Sequence, residues 1–197
     1  MNTLVCCLTY GNRPINIIHS NLENAGFPFN VKFINIEGIS NALNDGIETF
    51  KNGDYEAIAF MANDIQEEKD WLIKKLIGLE TYENAGIIAS PLDFKRTEIN
   101  NQHIISNWII RKEVIDNVGL FIESMFPYGP IDLDYCERTW LAGFKTYYLM
   151  NYLASHNGNH ASGNEYGYNK ENMVNKYWEQ YHSNIAAYKN GTKNIKQ

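Results

Sequence analysis

Gly38-Ile39-Ser40-Asn41-Ala42-Leu43-Asn44-Asp45-Gly46-Ile47 opens a stretch that runs through Asn52-Gly53 to Ala57-Ile58-Ala59-Phe60-Met61-Ala62-Asn63-Asp64. Its first half spaces Ile39, Leu43, Ile47 and Phe50 so that they share one face of a helix. The spacing predicts a helix over residues 39–51, closed by Asn52-Gly53 because glycine accepts the left-handed backbone of a helix end. Its second half, residues 57–61, is a short apolar run suited to a buried strand. Helix passing into buried strand is the unit of an α/β sheet, and such sheets bind ligands beyond the carboxyl ends of their strands. Asp64 stands at such an end. A carboxylate there can ligate Mg²⁺ or Mn²⁺, and the cation can hold a diphosphate. Asn63-Asp64 equally suits a plain turn that caps the next helix, so its surroundings decide.

The alternation continues on both sides. Upstream, residues 3–9 form a buried-strand run, residues 12–24 a helix with Ile15, Ile18 and Leu22 on one face, and residues 31–36 a second strand. Downstream come a helix over 71–79, a strand over 86–90, an irregular polar stretch over 93–103 and a strand over 108–110. A short helix then ends near Gly119, followed by a helix over 132–142 with Gly143 behind it, a strand over 144–150, and an aromatic helix over 170–189. At 197 residues the chain suits a single domain able to bury a core. Residues 1–162 make up that domain and residues 163–197 a helical extension packed on it.

Composition excludes several classes of function. A net charge of -6, with Lys74-Lys75 as the longest basic cluster, argues against a general nucleic-acid binder. No apolar run approaches the roughly 20 residues of a membrane span, and no basic segment precedes a long apolar one as in a secretion signal. Cys6, Cys7 and Cys136 have no metal-type spacing, and neighbours on a strand point to opposite faces, so free buried thiols in a reducing cytoplasm are expected.

The Gly38-x-x-x-Ala42-x-Asn44-x-Gly46 helix, followed by a strand ending in Ala62-Asn63-Asp64, resembles glycosyltransferase family 2. The resemblance implies a GT-A-type, Rossmann-like, mostly parallel sheet flanked by helices. In that family a DxD motif ends the strand; here only its last acid is present, with Ala62 in place of the first. By resemblance Asp64 is a metal ligand, Asn63 contacts the donor sugar or its phosphates, and Asn44 belongs to the donor-binding helix. A second element, Gly129-Pro130-Ile131-Asp132-Leu133-Asp134-Tyr135-Cys136-Glu137-Arg138 with Gly143 beyond, is similar to the family's acidic motif in register. It makes Asp132 the general base, at a helix start where the dipole favours an anion, although Ile131 replaces the first family acid. Asp134 and Arg138, four apart on that helix, lie within ion-pairing reach as structural support.

His156, the first histidine after the last strand, matches the family's second metal ligand, with His160 in reserve. Thr9-Tyr10-Gly11-Asn12-Arg13 is similar to the nucleotide-contacting loop: Thr9 ends the strand, Tyr10 could stack on a base and Arg13 meet a phosphate. A helix start with Pro14 in its first turn fits the same residues. The family has a further βα unit before the Gly38 helix, and residues 27–35 leave no room for one. The nucleotide pocket is therefore rebuilt, with Asn35 and Glu37 as candidates. The resemblance implies a metal-dependent inverting glycosyltransferase that moves a sugar from a nucleotide-sugar to a glycan, lipid-linked or other hydroxyl acceptor. A non-catalytic nucleotide- or sugar-binding relic of the fold is the alternative. A sugar nucleotidyltransferase is disfavoured because Gly11-Asn12-Arg13 is too sparse for a triphosphate loop. The C-terminal aromatic stripe suits core packing, closure over the acceptor or a homodimer contact.

Overall fold

The computed structural model describes residues 1–9, 15–92, 103–104, 107–156 and 170–197. Its elements are β1 (Thr3–Leu8), α1 (Asn16–Glu23), β2 (Asn30–Ile34), α2 (Ile39–Lys51), β3 (Ala57–Ala62), β4 (Ile65–Gln66) and α3 (Trp71–Thr81). They continue with β5 (Ala85–Ala89), β6 (Trp108–Arg111), α4 (Lys112–Val118), α5 (Ile131–Leu141), β7 (Lys145–Tyr148), β8 (Ser155–His156) and α6 (Lys170–Lys189).

Six strands form one sheet in the order β2-β1-β3-β6-β5-β7. All run parallel except β6, which pairs antiparallel with both β3 and β5. The strands are apolar runs because both faces are covered. Leu4, Cys6, Ile58, Phe60 and Ile110 face the layer of α2, α4, α5 and α6. Val5, Cys7, Ala59, Met61 and Ile109 face the layer of α1 and α3. The two adjacent thiols thus enter opposite cores, and burial pushes both up to about 12. A single strand, β2, fills the interval between α1 and α2, as the length of that interval requires.

The chain leaves β1 through α1 to β2 on one side, then returns through α2 to β3 on the other. The two helices cover opposite faces. The ends of β1 and β3 therefore flank a topological switch point, the crevice where open α/β sheets hold ligands. α2 packs closely on β1 and β3 because Gly46 has no side chain. A Cβ there would sit 2.7 Å from Phe60 Cε1 and 3.1 Å from Cys6 Sγ. Gly46→Ala is accordingly expected to lose about 1–3 kcal/mol in urea unfolding despite alanine's better helix propensity; an unchanged midpoint would contradict this packing.

Beyond the main sheet, β4 and β8 form a separate two-stranded antiparallel ribbon with Ile65 opposite His156. In α6, Tyr181, Ile185 and Tyr188 join the core. Tyr177 Oη donates to Phe126 O (2.7 Å) and Gln180 to Ser124 Oγ (2.7 Å), so α6 pins the loop that leads into α5. Among the described residues, no helix is long and apolar enough to cross a membrane.

Candidate active site

The Ala62-Asn63-Asp64 turn at the end of β3 meets the β8 ribbon, and Asp64 Oδ2 lies 3.5 Å from His156 Nε2. Two residues 92 positions apart in the chain come together because β4 and β8 pair, which puts His156 opposite the residue after Asp64. Each is mostly buried, with 14% and 15% of its side chain exposed. Two cis donors bound at about 2.1 Å to one octahedral cation lie about 3 Å apart, so the spacing fits a shared divalent ion. Carboxylate with imidazole suits Mn²⁺. Among the described residues there is no group of three or more His, Cys, Asp or Glu side chains that could hold a metal. Asn63 is buried, and its Nδ2 has no hydrogen-bond partner among the described residues. A buried donor left unmade is costly, and at a binding crevice it suits a ligand oxygen.

Beside this turn lies a cavity of about 120 Å³. Leu8 and Ala62 from the ends of β1 and β3 line it, with Ile39 and Leu43 of α2, Trp108 of β6, and Tyr128, Gly129 and Asp132 at the start of α5. Asp132 is in the first turn of α5, where its Oδ1 accepts the Leu133 N–H at 3.0 Å. Part of its surface is exposed, but the carboxyl lies deep among apolar walls, and that burial pushes its pKa from 3.8 up to about 7, outweighing the backbone hydrogen bonds. A carboxylate titrating near neutrality is suited to take a proton.

The remaining sequence expectations divide. Asp134 and Arg138 are a fully buried pair at 2.7 Å, with Arg138 also donating to Val118 O, so they fasten α5 to the loop after α4. Thr9 is at the end of β1, where its N–H and Oγ1 both donate to Ile34 O. Asn35 and Glu37 are exposed just past β2. The Asn44 amide donates to Phe121 O and Glu123 Oε1 and accepts the Phe121 N–H. Those bonds hold the 121–123 loop against α2. Tyr10, Arg13 and His160 lie outside the described residues.

A buried polar network beneath the turn escapes sequence reading. Glu67 Oε1 accepts from Lys75 Nζ (2.8 Å) and Asn107 Nδ2 (3.0 Å), and Oε2 from Ser90 Oγ (2.7 Å) and Tyr152 Oη (3.0 Å). Asn107 in turn accepts the Ala62 N–H at 2.9 Å, and Asn21 of α1 clasps Ile65, Gln66 and Glu67. The network joins the Asp64 turn to α1, α3 and the strand ends. One signal was present: Trp71, Lys75 and Leu79 recur at helical spacing, so a lysine occupies the apolar stripe of α3.

No protein-family model matches the chain, and no curated protein sequence matches it. Solved structures do. They share this chain's fold, a mostly parallel sheet flanked by helices of the GT-A type. A mannosyltransferase from Pyrobaculum calidifontis, PcManGT in complex with GDP-Man and Mn²⁺, matches with a TM-score of 0.60 at 11% identity, over 81% of this chain and 58% of that one. S. aureus TarS 1-349 in complex with UDP gives 0.58 at 15% identity, over 84% and 62%. A197 from STIV gives 0.56 at 15% identity, over 81% and 87%. The chain thus spans about three-fifths of the mannosyltransferase and TarS chains and most of A197.

Proposed function

We propose that this chain is a metal-dependent, inverting glycosyltransferase that uses a nucleoside-diphosphate sugar, in the cytoplasm, to modify an acceptor hydroxyl. The observation that carries the reading is the approach of Asp64 and His156 at a switch-point crevice whose neighbouring cavity contains Asp132. The UDP and GDP-Man in structures of similar fold support a nucleoside-diphosphate donor. Asp64 and His156 would hold the cation, which when bound neutralises charge on the diphosphate leaving group.

The chain's own residues do the rest. Asn63 Nδ2 donates to a donor oxygen, and Thr9, Tyr10, Arg13, Asn35 and Glu37 surround the nucleotide. Asp132 accepts the proton of the acceptor hydroxyl as the new C1–O bond forms and the C1–O bond to the diphosphate breaks. Attack from the face opposite the leaving group inverts the anomeric centre. The test is a panel of nucleotide sugars incubated with the protein and Mn²⁺. Turnover of one donor that chelation abolishes supports the reading. Nucleotide binding with no turnover of any donor favours the relic, whose supporting observation is the loss of both first acids to Ala62 and Ile131.

A further inference from the structure

Among the described residues, the walls of the cavity beside Asp132 are mostly apolar. Leu8, Ile39, Leu43, Phe60, Trp108 and Ile131 supply apolar groups. Of its polar side chains, Asn107 is engaged with Ala62 N–H and Glu67, Tyr128 brings one hydroxyl, and Asp132 is the assigned base. A pyranose there would turn several hydroxyls toward described walls that offer few partners. Each stranded hydroxyl lowers affinity by about tenfold. An apolar body gains instead from leaving water. Size agrees, since about 120 Å³ approaches the engineered apolar cavity of about 150 Å³ that takes up benzene.

The apolar character continues outward. Phe126, 43% exposed, rests on Gly38, where a Cβ would lie 2.4 Å from its Cε2. Ile36, 36% exposed, precedes that glycine by two residues, and Ile39 behind it lines the cavity. Two exposed apolar side chains therefore stand close in sequence or space to Ile39, which lines the cavity.

We infer that the acceptor presents its reacting hydroxyl on an apolar body, of single-ring size at the carboxyl, rather than on a sugar ring. This rests on Asp132 being the base, and the test keeps the two apart. Benzyl alcohol and methyl glucoside are titrated against the full chain by ligand-observed NMR, with neither metal nor donor present. Benzyl alcohol is expected to bind at least tenfold more tightly, and Leu43→Trp, which fills the cavity, to weaken it at least tenfold. Ala62→Leu, at the half-buried end of β3, provides a second filling variant should Leu43→Trp not fold. Equal or tighter binding of the glucoside would overturn the inference. So would benzyl alcohol binding that neither filling variant changes. Once a donor is known, aromatic alcohols should exceed methyl glucoside at least tenfold as acceptors in kcat/KM; the reverse order overturns the inference while leaving the glycosyltransferase reading intact. Benzyl alcohol binding in the cavity without turnover of any nucleotide sugar would remove the acceptor assignment through the reading beneath it.

Discussion

Replacing Asp132 by Asn is expected to lower kcat/KM for sugar transfer by about 10²–10⁴-fold while leaving Mn²⁺-dependent donor binding unchanged. Asparagine keeps an Oδ1 to accept the Leu133 N–H but has no oxygen able to take a proton. The wild-type pH profile should report the same group. Burial puts its pKa at about 7, so kcat/KM rises as pH increases through about 7 and levels off above it. Stability moves the other way. Between 3.8 and about 7 the folded chain holds a proton that the unfolded chain has released, so folding weakens across that window as pH rises. Ionisation costs on the order of 2–4 kcal/mol after allowance for partial exposure. Asp132→Asn should therefore raise the melting temperature at pH 8 and change it little at pH 4. A variant that retains transfer, or gains no stability at pH 8, would remove Asp132 from the role of a strained base.

Lys75→Met is the second large effect, expected to destabilise the fold by about 3–5 kcal/mol in urea unfolding. Lys75 and Glu67 are each 1% exposed, and Lys75 Nζ also donates to Asn107 O at 2.6 Å. Burial pulls the Lys75 pKa down, and Glu67 opposes that pull. Methionine fills the space of the stem but leaves the Glu67 carboxylate buried with hydroxyl and amide donors only. The double variant Lys75→Met/Glu67→Gln should recover much of the loss because it removes the stranded charge. A double variant as unstable as the sum of the two singles would show that the pair is not coupled.

Much of this was legible because it is local. α2 is read to the residue, since one apolar stripe and one Asn-Gly stop define both ends. The helix start that presents Asp132 is likewise visible from the acidic turn after Gly129-Pro130, within one residue. What escaped depends on distant pairing. β4 and β8 are two residues each, too short to carry any periodicity, yet they bring His156 to Asp64. The antiparallel insertion of β6 between β3 and β5 leaves no trace in a run as short as Trp108–Arg111. Lys75 hid in a two-lysine cluster whose natural reading is a solvated face, and Glu67 in an acidic pair after a turn. The partners of Asn44 were hidden in the same way: its motif is local, but they are Phe121 and Glu123, 77 and 79 residues away.

Paramagnetic broadening of backbone amide signals by Mn²⁺, in the presence of UDP or GDP, tests the account most directly. The prediction is selective loss of signals at 62–66, 132–133 and 155–156. Signals at the opposite end of the sheet, around Asn2, Glu56 and Lys112, should persist, and Asp64→Asn with His156→Ala should abolish the effect. Broadening centred elsewhere, or unchanged in that double variant, would contradict a cation site at Asp64 and His156 serving the Asp132 cavity.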